Sequence, residues 1–270
     1  MPTINVGDID MYYEVHGEGE PLLLITALSG DLTSWIFQVP EFSKKYSVIV
    51  FDNRGVGRTD VPDIPYSTEM MADDSAGLLD ALGIEKAQIL GHSMGCFIAQ
   101  EIALKYPQLV RSLVLASAGT QETHMAKHLI DTWARMAREG VNREICVREL
   151  LLWVFTEKFF ENTAMVQIAV DMLATGPYPQ PAHGLIRQVG ACLEHNAKDR
   201  IGSITAPTLV LAGKEDILVP VRMSEELAAG IPSAELIVLE GAGHGAYFEA
   251  ADKFNLAVLE FLSKVENQTS

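Results

Sequence analysis

Short apolar runs alternate with helix-forming segments along this chain of 270 residues, and this alternation constrains its fold more than any other feature. Continuous apolar runs between turn residues are typical of strands buried on both faces of a parallel sheet. Such runs occupy residues 22–26, 47–52, 87–90, 113–116, 208–212 and 236–239. Because helical patterns separate them, the sequence predicts an α/β fold with a mostly parallel central sheet and flanking helices. Two further β-patterned segments, 4–6 and 10–16, predict an N-terminal antiparallel hairpin that turns at Gly7 and Asp8.

Helical periodicity and end signals predict helices between these strands. The predicted helices cover residues 67–82, 94–105, 221–229 and 252–265. Residues 119–200 break the alternation, because they carry helical patterns only. A crossover between parallel strands needs far fewer residues, so this stretch is interpreted as an all-helical cap on a core of residues 1–118 and 201–270. The aromatic residues Trp133, Trp153 and Phe155 of the cap are candidates for lining a substrate pocket.

Charge and cysteine content exclude several classes of function. The formal net charge of −16 disfavours binding to nucleic acid and to anionic membrane surfaces. Three widely spaced cysteines, without a CxxC pair, indicate reduced thiols in a cytoplasmic protein and no metal site. We see no signal-peptide pattern and no apolar run long enough to span a membrane, and we expect no cofactor.

The segment Gly91-His92-Ser93-Met94-Gly95 matches the pattern G-x-S-x-G and joins a predicted strand to a predicted helix. A sharp turn in that context exposes the serine hydroxyl at the helix N-terminus, as a nucleophile requires. The glycines fit because side chains there would collide with the neighbouring strand and helix. Ser93 is therefore the predicted nucleophile.

A serine hydroxyl needs a base, and the chain offers seven histidines. His244 is the preferred candidate, because it follows the last predicted strand in a glycine-rich loop that can approach Ser93 closely. Asp216, just past the strand at 208–212, is the preferred carboxylate to orient His244. Functional groups cluster beyond the carboxyl ends of strands in such sheets, and all three residues follow this rule. Glu215 is the competing carboxylate.

An oxyanion formed at Ser93 would need two N–H donors, predicted as the backbone amides of Met94 and Leu28. Two other motifs are set aside. The segment Arg54–Asp60 resembles part of a dinucleotide-binding fingerprint but lacks the third glycine and the following helix. Cys96 is interpreted as a buried packing residue rather than a reactive thiol.

These motifs resemble the α/β-hydrolase superfamily over essentially the whole chain. The matching segments are GHSMG, FDNRGVGRTD, GKEDILVP and GAGH. The layout resembles small capped esterases and lactonases, including the 3-oxoadipate enol-lactonase group, and more distantly the C–C bond hydrolases. The resemblance implies structural roles for Asp52 and Arg54. The family usually shows His-Gly after the third strand, whereas this chain has Thr26-Ala27. We expect the loop to persist, with the Ala27 methyl group narrowing the pocket or tilting the donor amide.

The sequence therefore predicts a serine hydrolase that cleaves an ester or lactone of a small, largely apolar substrate through an acyl-enzyme. Three alternatives stay open: C–C bond hydrolysis of a vinylogous diketone, a small-molecule receptor with an intact triad, and cofactor-free perhydrolysis. The expected partner is a small molecule, and the exposed cap leaves room for a homodimer. Four arginines of the cap are candidates for binding a substrate carboxylate: Arg135, Arg138, Arg148 and Arg187.

Overall fold

The computed structural model describes residues 3–269, which include an eight-stranded sheet. Its strands are β1 (Thr3–Val6), β2 (Ile9–His16), β3 (Glu20–Ile25), β4 (Tyr46–Phe51), β5 (Ala87–His92), β6 (Val110–Ala116), β7 (Thr208–Gly213) and β8 (Ala234–Leu239). Their order across the sheet is β1-β2-β4-β3-β5-β6-β7-β8. Strands β1 and β2 pair antiparallel with each other, β2 also pairs antiparallel with β4, and every later pair is parallel. This architecture confirms the predicted fold class.

Strand ends differ from the predicted ones by a few residues, for physical reasons that the sequence does not display. Strand β5 continues past the apolar run, because Gly91 and His92 still pair with Leu115 and Ala116 of β6. Strand β3 stops before Thr26, whose hydroxyl donates a 2.8 Å hydrogen bond to a carbonyl within the following loop. Both adjustments concern the edge of the sheet where the candidate functional residues lie.

Eleven α-helices accompany the sheet within the described residues. They are α1 (Val39–Phe42), α2 (Thr68–Ala81), α3 (Met94–Lys105), α4 (His124–Arg138), α5 (Arg143–Val154), α6 (Glu157–Glu161), α7 (Thr163–Ala174), α8 (Ala182–Glu194), α9 (Val221–Gly230), α10 (Ala246–Glu249) and α11 (Ala251–Thr269). Local sequence explains helix α2 well: Ser67 caps its first turn by accepting from the amide of Met70, and Gly83 ends it at a φ of 70°. Over residues 3–269, no helix combines the length and apolar character needed to cross a bilayer.

Alternate residues of the central strands pack into two separate apolar layers, one on each face of the sheet. On one face, Leu23 and Ile89 join a buried cluster with α2 and α3. On the other face, Leu22 and Leu90 join a cluster with α11. Side chains of a strand alternate between its faces, so helices on both sides bury the central strands β3 to β7.

Helices α4 to α8 fall between β6 and β7, in the segment predicted to form a cap. They do not pack as one unit. Helices α4 and α8 bury Ile130 and Val189 in the same cluster as the sheet. Helices α5 to α7 instead form a cluster of their own, which includes Leu151, Phe159 and the core residue Phe248. The division into core and cap at residues 118 and 200 stays a prediction.

Candidate active site

Ser93 lies in the turn between β5 and α3 with a φ of 53°, in the left-handed region that side chains rarely adopt. The flanking glycines permit this turn. A Cβ at Gly91 would collide with the carbonyl of Gly95, and a Cβ at Gly95 would collide with the carbonyl of Ile25. The turn thus presents the Ser93 hydroxyl at the N-terminus of α3, as the motif predicted.

His244 reaches this hydroxyl from the loop after β8. Its Nε2 lies 2.9 Å from Oγ of Ser93, and its Nδ1 lies 2.9 Å from Oδ2 of Asp216. Because the carboxylate only accepts, Nδ1 carries the proton and the neutral ring accepts from Ser93 at Nε2. Gly213 makes the approach of this loop to β7 feasible, since a Cβ there would collide with the carbonyl of Gly243.

Asp216 is buried, whereas the competing Glu215 is exposed. The second carboxylate oxygen of Asp216, Oδ1, accepts from the backbone amides of Leu218 at 2.9 Å and Val219 at 2.7 Å. These bonds leave Oδ2 for the imidazole, so each oxygen of the carboxylate has its own donors. The structure brings Ser93, His244 and Asp216 into one hydrogen-bonded chain.

The charges around His244 stabilise the protonated form of its imidazole. Burial lowers its pKa, but the charge and hydrogen bond of Asp216, together with the charge of Glu122, outweigh burial. The net pKa of His244 is raised above its ordinary value of 6.5. An imidazole in this position is a stronger base than a free one, which suits proton removal from a hydroxyl.

Two side chains that the sequence did not suggest hold the backbone of His244. The carbonyl of His244 accepts from Nε2 of His92 at 2.9 Å and from Oγ of Ser117 at 3.1 Å. Burial and the neighbouring His244 lower the pKa of His92 to about 3, so His92 is a neutral donor. The position of His92 directly before Ser93 was the only sequence signal for this role. The direction of the His92 side chain depends on tertiary packing, which the sequence does not display.

The loop after β3 keeps a defined shape although it lacks the His-Gly pair of the family. The hydroxyl of Thr26 donates to the carbonyl of Gly30 and accepts from Nδ2 of Asn53 at 3.0 Å. The amide of Gly30 donates to the carbonyl of Ala27 at 3.1 Å, which closes the turn. Thr26 therefore holds this loop through its side chain.

Leu28 and Met94 both line the cavity above Ser93. Among the described residues, neither backbone amide has a hydrogen-bond acceptor. Two unsatisfied N–H groups beside an activated hydroxyl are the arrangement that a developing oxyanion requires. Both predicted donors thus lie at the wall of the cavity that contains Ser93, and their role in binding an oxyanion stays a prediction.

Glu249 of α10 links the loop that carries His244 to the helical segment. Its Oε1 accepts from the amide of Gly243 at 2.6 Å, and its Oε2 accepts from the amide and hydroxyl of Thr156 at 3.1 and 2.8 Å. The amide of Gly245 also donates to the carbonyl of Val154 at 2.8 Å. The position of the base thus depends on the end of α5, a connection with no signature in the sequence.

A cavity of about 350 Å³ opens above Ser93 and His244. Its walls are mainly apolar and come from helices α4, α5, α7 and α8 and from the loops at the carboxyl edge of the sheet. Trp133 and Phe155 line it, as predicted for the pocket. Trp153 does not line it: the lining residues of α5 include Leu150, Leu151 and Val154, and the Trp153 indole donates to Glu149 at 2.8 Å.

The four candidate arginines do not line this cavity. Three of them pair with acidic residues at the surface: Arg135 with Asp131, Arg148 with Glu144 and Arg187 with Asp63. Arg138 lies exposed in the last turn of α4.

The cavity instead contains three charged residues that the sequence analysis missed, namely Asp31, Glu122 and Arg143. Arg143, the first residue of α5, lines it and donates from Nε to the carbonyl of Leu173 at 2.9 Å. Glu122, between β6 and α4, also lines it. The positions of Arg143 and Glu122 follow from how the helical segment packs, so no motif reveals them.

Arg54, Asp52 and Cys96 take no part in the hydrogen-bonded chain of Ser93, His244 and Asp216 and make structural contacts. The Arg54 guanidinium is buried and pairs with both carboxylate oxygens of Asp74 at 2.6 and 2.7 Å. Asp52 accepts from the amides of Leu32 at 2.9 Å and Arg58 at 2.8 Å. Cys96 is fully buried, and burial raises the pKa of its thiol. Among the described residues, no group of three or more ligating side chains is arranged to hold a metal ion.

The profile of a family described as alpha/beta hydrolase fold matches residues 20–251. A relative from Azorhizobium caulinodans, which its name gives provisionally as carbamate hydrolase RutD, is 31% identical over 268 residues, covering 98% of this chain and 100% of its own. The solved enol-lactonase from Burkholderia xenovorans LB400 has a TM-score of 0.90 and 25% identity, covering 97% of this chain and 100% of that one. A thermophilic esterase from Thermogutta terrifontis has a TM-score of 0.88 and 29% identity, with 98% of each chain covered. The chain therefore belongs to the α/β-hydrolase fold family and is a hydrolase of that family.

Proposed function

We propose that this protein cleaves a carboxylic ester or lactone of a small, largely apolar substrate through an acyl-enzyme. The observation that carries the proposal is the chain of hydrogen bonds from Ser93 through His244 to Asp216, with both distances at 2.9 Å, at the floor of the cavity. A hydroxyl that donates to an oriented imidazole is an activated nucleophile. Asp216 fixes the tautomer in which the imidazole accepts that proton.

The proposed reaction follows from the atoms in place. Oγ of Ser93 attacks the carbonyl carbon while its proton passes to Nε2 of His244. The oxyanion accepts from the amides of Leu28 and Met94. The imidazolium then protonates the leaving oxygen, and the acyl group remains on Ser93. A water molecule repeats the sequence, with His244 as its base, and releases the acid.

The cavity supports the substrate class. Its apolar walls and its volume of about 350 Å³ suit a compact molecule with few polar groups. The solved relatives named as an enol-lactonase and an esterase have the same fold over nearly the whole chain. Their names favour cleavage of a C–O bond next to a carbonyl.

A second candidate is hydrolysis of a carbamate, favoured by the name of the relative that is 31% identical over 268 residues. The same steps apply, because a carbamate also carries a carbonyl carbon that a serine can attack. Its nitrogen makes the carbonyl less electrophilic, so a carbamate places a greater demand on the two donor amides.

A fluorophosphonate provides the first test, since it reacts with activated serines and adds a fixed mass. We expect one adduct on the protein, its loss in Ser93→Ala, and its retention in Ser203→Ala, which removes an exposed hydroxyl. Brief exposure to an aryl ester should also yield an acylated intermediate on Ser93. A folded protein that forms no adduct, or a Ser93→Ala variant that keeps it, would contradict the proposal.

A substrate panel then separates the alternatives. It contains an aryl ester, a lactone, an aryl carbamate and a vinylogous diketone, with a halide-plus-peroxide assay beside it. We expect the ester and lactone to have the highest kcat/KM. Preferential turnover of the carbamate would favour the second candidate. Turnover of the diketone alone would indicate C–C bond hydrolysis, and an adduct without turnover of any substrate would indicate a receptor.

A further inference from the structure

Glu122 is a carboxyl group at the catalytic end of the cavity that takes no part in the proposed triad. It lies between β6 and α4 and lines the same cavity as Ser93 and His244. Both neighbours fix its backbone. Gln121 pairs with Asn196, and Thr123 caps α4 by accepting from the amide of Ala126 at 3.0 Å. The backbone is therefore anchored on both sides of Glu122, at the wall of the cavity.

No protein group satisfies this carboxyl. Among the described residues, no donor lies within hydrogen-bond distance of Glu122 and no cation lies within 4.0 Å of it, and the residue is only partly buried. Every other carboxylate at this site has donors: Asp216 has three, and Glu249 bonds to Gly243 and Thr156. A carboxyl at the cavity wall that has no protein donor is free to accept hydrogen bonds from a bound molecule.

Three titratable groups act on the pKa of Glu122 through space, namely His244, Lys127 and Asp216, and the pKa of Cys192 is raised by burial and in turn by Glu122. Burial raises the pKa of Glu122 to about 7, against the charges of His244 and Lys127. Asp216 already occupies Nδ1 of His244, so Glu122 does not replace it as the orienting group. The carboxylate that acts on the pKa of Arg143 is that of Asp31 and not that of Glu122. Glu122 and Arg143 therefore belong to separate parts of the cavity.

We propose that Glu122 is a specificity-determining residue that binds a protonated amine of the substrate close to the scissile carbonyl. This inference rests on the proposed function and deepens it. An ammonium group offers charge-assisted hydrogen bonds, which are stronger than those of a neutral hydroxyl. Trp133 lines the same cavity and offers an aromatic surface that attracts cations. The net charge of −16 also raises the local concentration of cationic molecules around the protein.

The test compares two esters of the same shape, phenyl 3-aminopropanoate and phenyl butanoate, which exchange an ammonium for a methyl group. The kcat/KM of each is divided by its rate constant for hydroxide hydrolysis, which removes intrinsic reactivity. At about pH 8 an aliphatic amine stays protonated. We expect wild type to prefer the amino ester by about tenfold or more, the typical gain from a hydrogen bond between charged groups.

Glu122→Gln keeps the shape of the side chain and removes its charge, so the preference should vanish. Glu225→Gln, on the exposed face of α9, is the matched control and should keep the preference. Glu122→Gln should also shift the acid limb of the butanoate profile to lower pH, because the charge of Glu122 raises the pKa of His244. A merely structural role would not move that limb.

Binding to Ser93→Ala separates this inference from the proposed function. The probes are the matching anilides, 3-amino-N-phenylpropanamide and N-phenylbutanamide, titrated by calorimetry. Tighter binding of the amino anilide that Glu122→Gln abolishes would support the inference even if neither ester were cleaved. Equal binding of both anilides, or an ester preference that survives Glu122→Gln, would overturn it while leaving ester hydrolysis intact.

Discussion

Replacing Asp216 with Asn tests whether the orienting carboxylate acts as the geometry indicates. The amides of Leu218 and Val219 both donate to Oδ1, so the Asn carbonyl oxygen will keep that position. Its NH₂ group then faces His244 and donates to Nδ1. The imidazole must place its proton on Nε2, where it can no longer accept from Ser93. The variant keeps the hydrogen bonds but selects the wrong tautomer.

The expected loss in kcat is on the order of 10⁴-fold, the loss known for this change in a serine protease triad. It corresponds to about 5.5 kcal/mol of transition-state stabilisation. The assay is kcat for an aryl ester, with thermal unfolding to show that the fold is retained. Glu215→Gln removes the exposed neighbouring carboxylate and should leave kcat unchanged. A loss below tenfold in Asp216→Asn, or an equal loss in Glu215→Gln, would refute the assignment.

Three further predictions concern pH, stability and thiol reactivity. Since neutral His244 is the base and its pKa is raised, kcat/KM should fall as the pH drops through a midpoint above 6.5, as a pH–rate profile will show. Asp74→Asn breaks the buried pair with Arg54 and should lower the free energy of unfolding by about 3 kcal/mol in urea titrations. Asp73→Asn, at the surface, should cost less than about 1 kcal/mol. Iodoacetamide should label the partly exposed Cys146 before the two buried cysteines, as peptide mapping will show.

The fold could be predicted because each strand carries its own signal. A buried strand needs only a short apolar run, and the alternation with helices then restricts the topology. The boundaries could not be predicted as well, since Gly91 and His92 extend β5 through backbone pairing that is independent of side-chain polarity. The end of β3 likewise depends on a single side-chain hydrogen bond of Thr26.

The convergence of Ser93, Asp216 and His244 follows from topology. Parallel strands end at one edge, so residues placed just beyond β5, β7 and β8 meet without any knowledge of side-chain packing. The catalytic role of these residues remains the proposal to be tested. Their proximity was accessible from sequence because strand order brings these loops to one edge, whereas the exact position of His244 also depends on Glu249 and on the end of α5.

The walls of the cavity depend on a different kind of information. Trp133 lines the cavity and Trp153 does not, although both donate to the same Glu149. The difference lies in which side of each helix lines the cavity: Ile130 and Ala137 accompany Trp133 on α4, whereas α5 lines it with residues such as Leu150, Leu151 and Val154. Glu122 and Arg143 escaped notice for the same reason, since an isolated charge in a helical segment is usually solvated. The lining of the cavity is therefore determined by helix packing, which a single sequence encodes only collectively, while the meeting of the strand ends that carry Ser93, Asp216 and His244 is determined by strand order, which it encodes locally.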